Sequence, residues 1–323
     1  MIRIGSEKIT TNIFLAPLAG CADLAFRLIA RENGAKFCFF EMVDSNSLEY
    51  GPPRKMSILK TVEEDAPIAA QILGEDPAVM LRGARKILER VKIPFLDINA
   101  ACPARKVIKK HSGSYLLREQ ANLAAIIKKL ASSLPVPVTV KIRLGYDTCT
   151  PEGIVSLAKK CQSSGASAVF VHGRTSLQGY LGEVNYEYIR RIKDALRIPV
   201  FGIGNIFSCQ LAEKMFKLTN CDGIMVARGC LGNPWIFKVI DEYLGKGKIP
   251  KPVSPAEKRV VLKRHLEYVN VYNECHPDSK LGVMRKTVMW YLRGFPGAAR
   301  IRQQICVVKN YEKMLELIDE VIR

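Results

Sequence analysis

The sequence predicts a (β/α)8 barrel, the TIM-barrel architecture, followed by a small helical domain. Three observations predict it. Eight short runs rich in apolar, β-branched and aromatic residues recur between residues 13 and 226. Segments with helical periodicity lie between most of them, and the strands cease after a Gly-, Pro- and Lys-rich stretch at 245–255. A chain of 323 residues exceeds the roughly 250 residues of one such barrel, which leaves room for a second unit. The expected division is a barrel over 1–245, a linker over 246–255 and a helical domain over 256–323.

The strand runs are IFLA (13–16), FCFFE (37–41), PIAAQI (67–72), 93–98, VPVTVKI (136–142), SAVFVH (167–172), 198–203 and 221–226. Helical patterns stand between them at 23–34, 78–91, 153–165 and 208–218, with apolar residues three and four apart. The GPPRK stretch at 51–55 interrupts the pattern, so the helix between the second and third strands is the weakest element. Beyond the linker, Ser254 before Pro255 reads as a helix cap, VVLKRHLEYV (260–269) as an amphipathic helix, and a last helix is expected near Tyr311–Ile322.

Lys plus Arg number 49 against 31 Asp plus Glu, a net charge of +18. That is more than solubility requires and points to a polyanionic partner. A count does not show clustering, so a merely soluble basic surface stays open. Ten cysteines are present, but no two lie closer than nine residues apart, so no CxxC pair exists and zinc ribbons and iron–sulfur clusters are disfavoured. The start, MIRIGSEK, lacks the apolar core of a signal peptide, and no apolar run approaches the roughly 18 residues of a membrane span. The expectation is a monomer in the reducing cytoplasm, with no metal and no membrane association.

In such a barrel, catalytic side chains project from the C-terminal ends of several strands. Here those ends supply Pro17, Gln71, Asn99, Cys102, Lys141, Arg143, His172 and Arg228. Residues 97–107, DINAACPARKV, turn within five positions from an apolar run to an Asn, a Cys, a Pro and two cations. A thiol in that setting suits acid chemistry, although a free Cys is more often a small packed apolar group. Gln71 ends an otherwise apolar strand and is costly to bury without partners, which favours a ligand contact. Lys141 reads as a ligand contact or a solvated strand end, and His172 as a ligand contact or a core imidazole. Gly202 and Gly204 after the seventh run, with Ala227, Arg228 and Gly229 after the eighth, form the loop pair where barrels commonly hold phosphate.

DINAACPARKV resembles the signature of the dihydrouridine synthases, flavin enzymes that reduce uridine to dihydrouridine in folded RNA. The similarity, of a bacterial DusB-like kind, continues through LAPLAG (15–20), AAQILG (69–74), VKIRLG (140–145), VHGRT (171–175), GIMVARGCLGNPWIF (223–237) and WYLRGFPGAARIR (290–302). The resemblance implies an FMN-binding barrel with Cys102 as general acid. Ala16, Pro17 and Leu18 would pass under the flavin ring, and Gln71 and Lys141 would bond its polar edge. Asn99 would touch the flavin or the base, His172 the flavin, Gly204 and Asn205 its surroundings through the backbone, and Ala227 with Arg228 its phosphate. NADPH or NADH would be the transient reductant; Cys102 would protonate uracil C5 as hydride reaches C6. The RNA, tRNA before ribosomal RNA, would be gripped by Arg105, Lys106, Arg143, Arg285, Lys286 and Arg293.

Three departures from the family pattern stand out. Ile203, Gly204 and Asn205 replace an NGD turn, His111 and Tyr115 stand where glycine or small residues are usual, and Thr287 replaces the His of an MRKH motif. Two rival readings remain: a flavin barrel acting on a free small molecule, and a flavin-poor RNA-binding protein on the same scaffold.

Overall fold

The computed structural model describes residues 1–323 apart from 52–56, 275, 296–297 and 322–323. The chain opens with an antiparallel hairpin, β1 (Ile2–Ile4) and β2 (Glu7–Ile9). Gly5 turns it at φ +57, and a Cβ there would come within 2.7 Å of Pro137. Sequence reasoning missed this hairpin because two three-residue strands are too short to show a period.

Strand and helix then alternate. In order they are β3 (Ile13–Leu15), α1 (Leu24–Glu32), β4 (Cys38–Asp44), α2 (Ser45–Tyr50), β5 (Ile68–Leu73), α3 (Pro77–Arg90) and β6 (Leu96–Ala100). A short α4 (Arg105–Ile108) and then α5 (Gln120–Ser133) precede β7 (Val138–Arg143), α6 (Pro151–Ser163), β8 (Val169–His172), α7 (Tyr186–Ala195), β9 (Val200–Ile203), α8 (Cys209–Thr219), β10 (Gly223–Val226) and α9 (Ile236–Lys246). Strands β3 to β10 are parallel, in the order β3-β10-β9-β8-β7-β6-β5-β4. The Leu15 N–H donates to the Phe37 carbonyl at 2.9 Å across the remaining seam, so the eight strands form a (β/α)8 barrel. The interrupted helix proves to be the six-residue α2; from residue 52 on, GPPRK lies outside the described residues.

Side chains alternate across a strand, so one face of each strand lines the barrel. At its lower end that face is aromatic: Phe14 stacks on Phe37 at 4.4 Å, Phe170 lies 4.6 Å from Phe201, and Phe39 and Phe95 join them. Ile4 and Ile9 of the hairpin pack into the same cluster. Two residues further along each strand the same face carries Gln71, Asp97 and His172, and then Asn99 and Lys141. The interior therefore changes from apolar to polar at the C-terminal end.

After α9 an extended segment, 247–254, leads to α10 (Pro255–Tyr272), where Ser254 Oγ accepts the Glu257 N–H at 3.2 Å. Helices α11 (Pro277–Tyr291), α12 (Ala298–Val307) and α13 (Tyr311–Val321) follow. Their apolar cluster takes in Ala25 and Trp235 from the barrel side. Phe26 of α1 meets Trp290 edge-on and the His265 ring, each at 5.8 Å, and Arg264 pairs with Glu32 at 2.9 Å. The helical region is thus docked on α1 by buried apolar surface. No described helix is long and apolar enough to cross a membrane.

Candidate active site

Register assembles the site. Gln71 lies beside Asp97, Asn99 beside Lys141, and Arg143 beside His172 on neighbouring parallel strands. From these pairings two differently built halves arise at the barrel mouth.

The first half is a closed hydrogen-bond chain that ends at Cys102. The Thr139 hydroxyl donates to one oxygen of the fully buried Asp97 carboxylate at 2.7 Å, and the Gln71 amide donates to the other at 2.7 Å. With its nitrogen so engaged, Gln71 turns its oxygen to the Asn99 amide, which donates to it at 2.7 Å. Asn99 Oδ1 then accepts the backbone N–H groups of Ala101 at 3.0 Å and Cys102 at 2.9 Å. From the other side Ser114 donates its N–H (3.1 Å) and its hydroxyl (3.0 Å) to the Cys102 carbonyl, and Arg143 Nε donates to the Ala101 carbonyl at 2.8 Å. Cys102 itself is half-buried, its backbone held on both sides. Burial pushes the Asp97 carboxyl up to about 6, opposed by its two hydrogen bonds and by Lys141.

The second half collects cations. Burial and the neighbouring Arg143 pull the Lys141 ammonium down to about 8, while Asp97 and Cys102 oppose the shift. Among the described residues Lys141 has no hydrogen-bond or ion-pair partner. His172 is pulled well below its ordinary value by burial and by Arg143, Lys141, Arg174 and Arg228, so its ring is neutral at pH 7. Arg174, which sequence reasoning did not single out, is 1% exposed. Its guanidinium donates to the Gly182 carbonyl at 2.6 Å and to Asn205 Oδ1 at 3.1 Å, but its buried Nη1 has no partner. Arg228 lies over the Tyr180 ring at 4.1 Å. No described carboxylate forms an ion pair with Lys141, Arg143, Arg174 or Arg228. A buried guanidinium nitrogen without a partner, among cations that make no ion pair, suits an anion such as phosphate. The signal for Arg174 was present in VHGRT as a charged residue in the turn that follows the strand end at His172.

The expected residues divide as follows. Gln71, Asn99, Lys141, His172 and Arg228 come together at the mouth, and the loop carrying Ala16, Pro17 and Leu18 follows β3 on the same end. Gly204 adopts φ +139 and Asn205 φ +51; the Asn205 side chain is spent on Arg174, so it orients that guanidinium. Arg143 is not a free surface cation: it is 2% exposed and donates to the carbonyls of Ala101, Thr175 and Gly179, so its charge braces the mouth from within. Arg285 is likewise taken by the Val308 carbonyl, and Lys286 by the Gly20 carbonyl and the Trp290 ring, whereas Arg105, Lys106 and Arg293 are exposed. Thr287 is buried and its hydroxyl bonds the Val283 carbonyl within α11, which satisfies it locally. The nine described cysteines are free thiols, and no described cluster of His, Cys, Asp or Glu could hold a metal.

Fold and site define a (β/α)8 barrel whose mouth gathers buried cations beside a thiol with its backbone fixed on both sides. The family profile of dihydrouridine synthase (Dus) matches residues 14–323. The chain belongs to this family, whose members are flavin-dependent oxidoreductases. It is 38% identical over 305 residues to tRNA-dihydrouridine synthase B of Pseudomonas aeruginosa, covering 94% of this chain and 90% of that protein. It is 33% identical over 328 residues to a probable tRNA-dihydrouridine synthase of Rickettsia bellii, covering 100% and 99%. A solved morphinone reductase variant in complex with tetrahydroNAD shares the fold alone, with a TM-score of 0.54, 13% identity, and 80% of this chain and 92% of that one covered.

Proposed function

We propose that the chain reduces the C5=C6 bond of a uridine in tRNA to give dihydrouridine, with Cys102 as the general acid. The carrying observation is the placement of Cys102: Asn99 and Ser114 pin its backbone at the barrel end that also gathers Lys141, Arg174 and Arg228. FMN, replenished by NADPH or NADH, would supply the hydride that reaches uracil C6. Arg174 and Arg228 would hold its phosphate, Lys141 and Gln71 its polar edge, and Ala16, Pro17 and Leu18 would lie under its ring.

The proton comes from the chain. Cys102 gives its thiol proton to C5, and the thiolate left behind sits within electrostatic reach of Lys141 and Arg143. Stabilising that thiolate favours the transfer, and solvent returns the proton afterwards. A stacked uridine is out of reach, so the base is extruded into the mouth. Exposed cations, Arg105 and Lys106 at the mouth and Arg293 in the helical domain of 256–323, grip the phosphates from outside, in keeping with the +18 charge.

The test is purified protein given FMN, NADPH and unmodified tRNA, with dihydrouridine measured by mass spectrometry. Formation of dihydrouridine supports the reading. A protein that carries FMN and oxidises NADPH yet leaves every uridine intact overturns it.

A further inference from the structure

The segment that follows Cys102 has a feature that the reaction at the thiol does not use. His111 adopts φ +56, a backbone conformation that residues with a side chain rarely take. Its exposed ring stacks on Tyr115, with centroids 4.5 Å apart and planes 10° from parallel. Tyr115 meets Tyr146 edge-on at 6.5 Å, and the Arg118 guanidinium covers the Tyr146 ring at 3.9 Å. All of these residues follow β6 or β7, at the end of the barrel where Cys102 lies.

Charge surrounds the rings. Arg105, Lys106 and Lys109 are exposed and, among the described residues, their side chains have no ion-pair or hydrogen-bond partner, whereas Lys110 pairs with Asp44 at 2.8 Å and Arg118 with Asp147 at 3.7 Å. The segment is also fixed to the reacting group. Ser114 donates twice to the Cys102 carbonyl, and Gly113 (φ +63) comes so close that a Cβ would stand 2.8 Å from the same oxygen. Whatever rests on the His111–Tyr115 stack is therefore held in register with the thiol.

We propose that this segment is a docking lip for tRNA, on which an unstacked base beside the extruded uridine lies against the His111–Tyr115 stack. Arg105, Lys106 and Lys109 take the adjoining phosphates. The proposal rests on the reading of the function given above. Extruding one base leaves its neighbour without a stacking partner, and an exposed aromatic face restores that contact without sequence preference, while unpaired cations supply the phosphate contacts.

His111→Gly separates the ring from the fold, because glycine adopts positive φ at no steric cost. In the full-length FMN-loaded protein, His111→Gly and Tyr115→Ala should each weaken binding of unmodified tRNA by roughly fivefold to a hundredfold, the range of one base–aromatic stack. KM for tRNA should rise with kcat little changed, and FMN content and RNA-free NADPH oxidation should stay as in the wild type. Tyr115→Phe should restore affinity. Lys106→Ala should instead lower the slope of affinity against salt by roughly one phosphate contact. If His111→Gly and Tyr115→Ala both bind tRNA within twofold of a wild type that makes dihydrouridine, the lip is overturned while the function stands. A wild type that makes no dihydrouridine overturns the function itself.

Discussion

The two halves of the barrel mouth are both buried and polar, yet they are built on opposite plans. In the half that ends at Cys102, each polar group from Thr139 through Asp97, Gln71 and Asn99 finds a protein partner at 2.7–3.0 Å. Across the mouth, Lys141, Arg143, Arg174 and Arg228 gather without one described carboxylate in ion-pair contact, and Arg174 keeps a buried nitrogen unbonded. A network whose members bond chiefly to one another mainly holds atoms in place, and keeps only single sites, such as the second Gln71 amide hydrogen, for a ligand. An unsaturated one is costly until an anion completes it. The contrast teaches which half positions and which half binds.

The largest expected effect breaks the comparison at its catalytic end. Cys102→Ala should lower dihydrouridine formation by about 10²- to 10⁴-fold, the usual loss on removing a general acid, while FMN content and NADPH oxidation stay near wild type. Flavin reoxidation by tRNA after anaerobic reduction measures it; equal rates and equal product yields in both proteins would remove Cys102 from the mechanism.

Next comes the binding half. Arg174→Ala and Arg228→Ala should each weaken FMN by about 10- to 100-fold, the worth of a hydrogen bond to a charged group. The reacting thiol should be untouched. Fluorescence titration reads the affinity, and an unchanged value for both variants would show that the orphaned guanidinium awaits something other than phosphate.

Asn99→Ala sharpens the other half. It strands the Ala101 and Cys102 N–H groups, so stability should fall by about 1–3 kcal/mol in chemical unfolding, and uridine reduction should fall more than NADPH oxidation does. Proportional loss of both activities would mean that the chain of hydrogen bonds does not act on Cys102.

The smallest effects are in pH. Because Lys141 titrates near 8, its charge is present below that pH and lost above it. FMN affinity should therefore decline as pH rises through 8, and Lys141→Met should flatten the profile. Asp97 is shifted in the opposite direction, to about 6 in the fold from an ordinary 3.8. Its contribution to stability is full below about 3.8 and is lost as pH rises through about 6, because the folded chain holds that proton longer. Asp97→Asn should remove that slope while keeping the relay, since the Thr139 hydroxyl can turn to accept. Thermal unfolding between pH 4 and 7 would show whether the slope vanishes.

The eight strands, the helices between the larger runs and the Ser254 cap were legible because they rest on local rules: apolar period, breaker residues and cap chemistry. So was the position of Cys102, Gln71, Asn99, Lys141 and Arg228 at the C-terminal end of the barrel, each at or just past the end of an apolar run. What each charge does was another matter. Sequence spacing places Arg143 at a strand end, but only the folded loops bring the carbonyls of Ala101, Thr175 and Gly179 onto its guanidinium. Arg285 and Lys286 look like free cations beside aromatics until packing supplies Val308 and Gly20 as acceptors. Arg174 looks ordinary until burial leaves one of its nitrogens unbonded.

The sequence by itself determined the barrel, its polar end and the thiol, because strand period and strand-end chemistry are written along the chain. Only the tertiary structure decided which charges are spent and which are open. Hydrogen-bond saturation depends on partners that arrive from distant loops, and those partners have no signature at the position they satisfy.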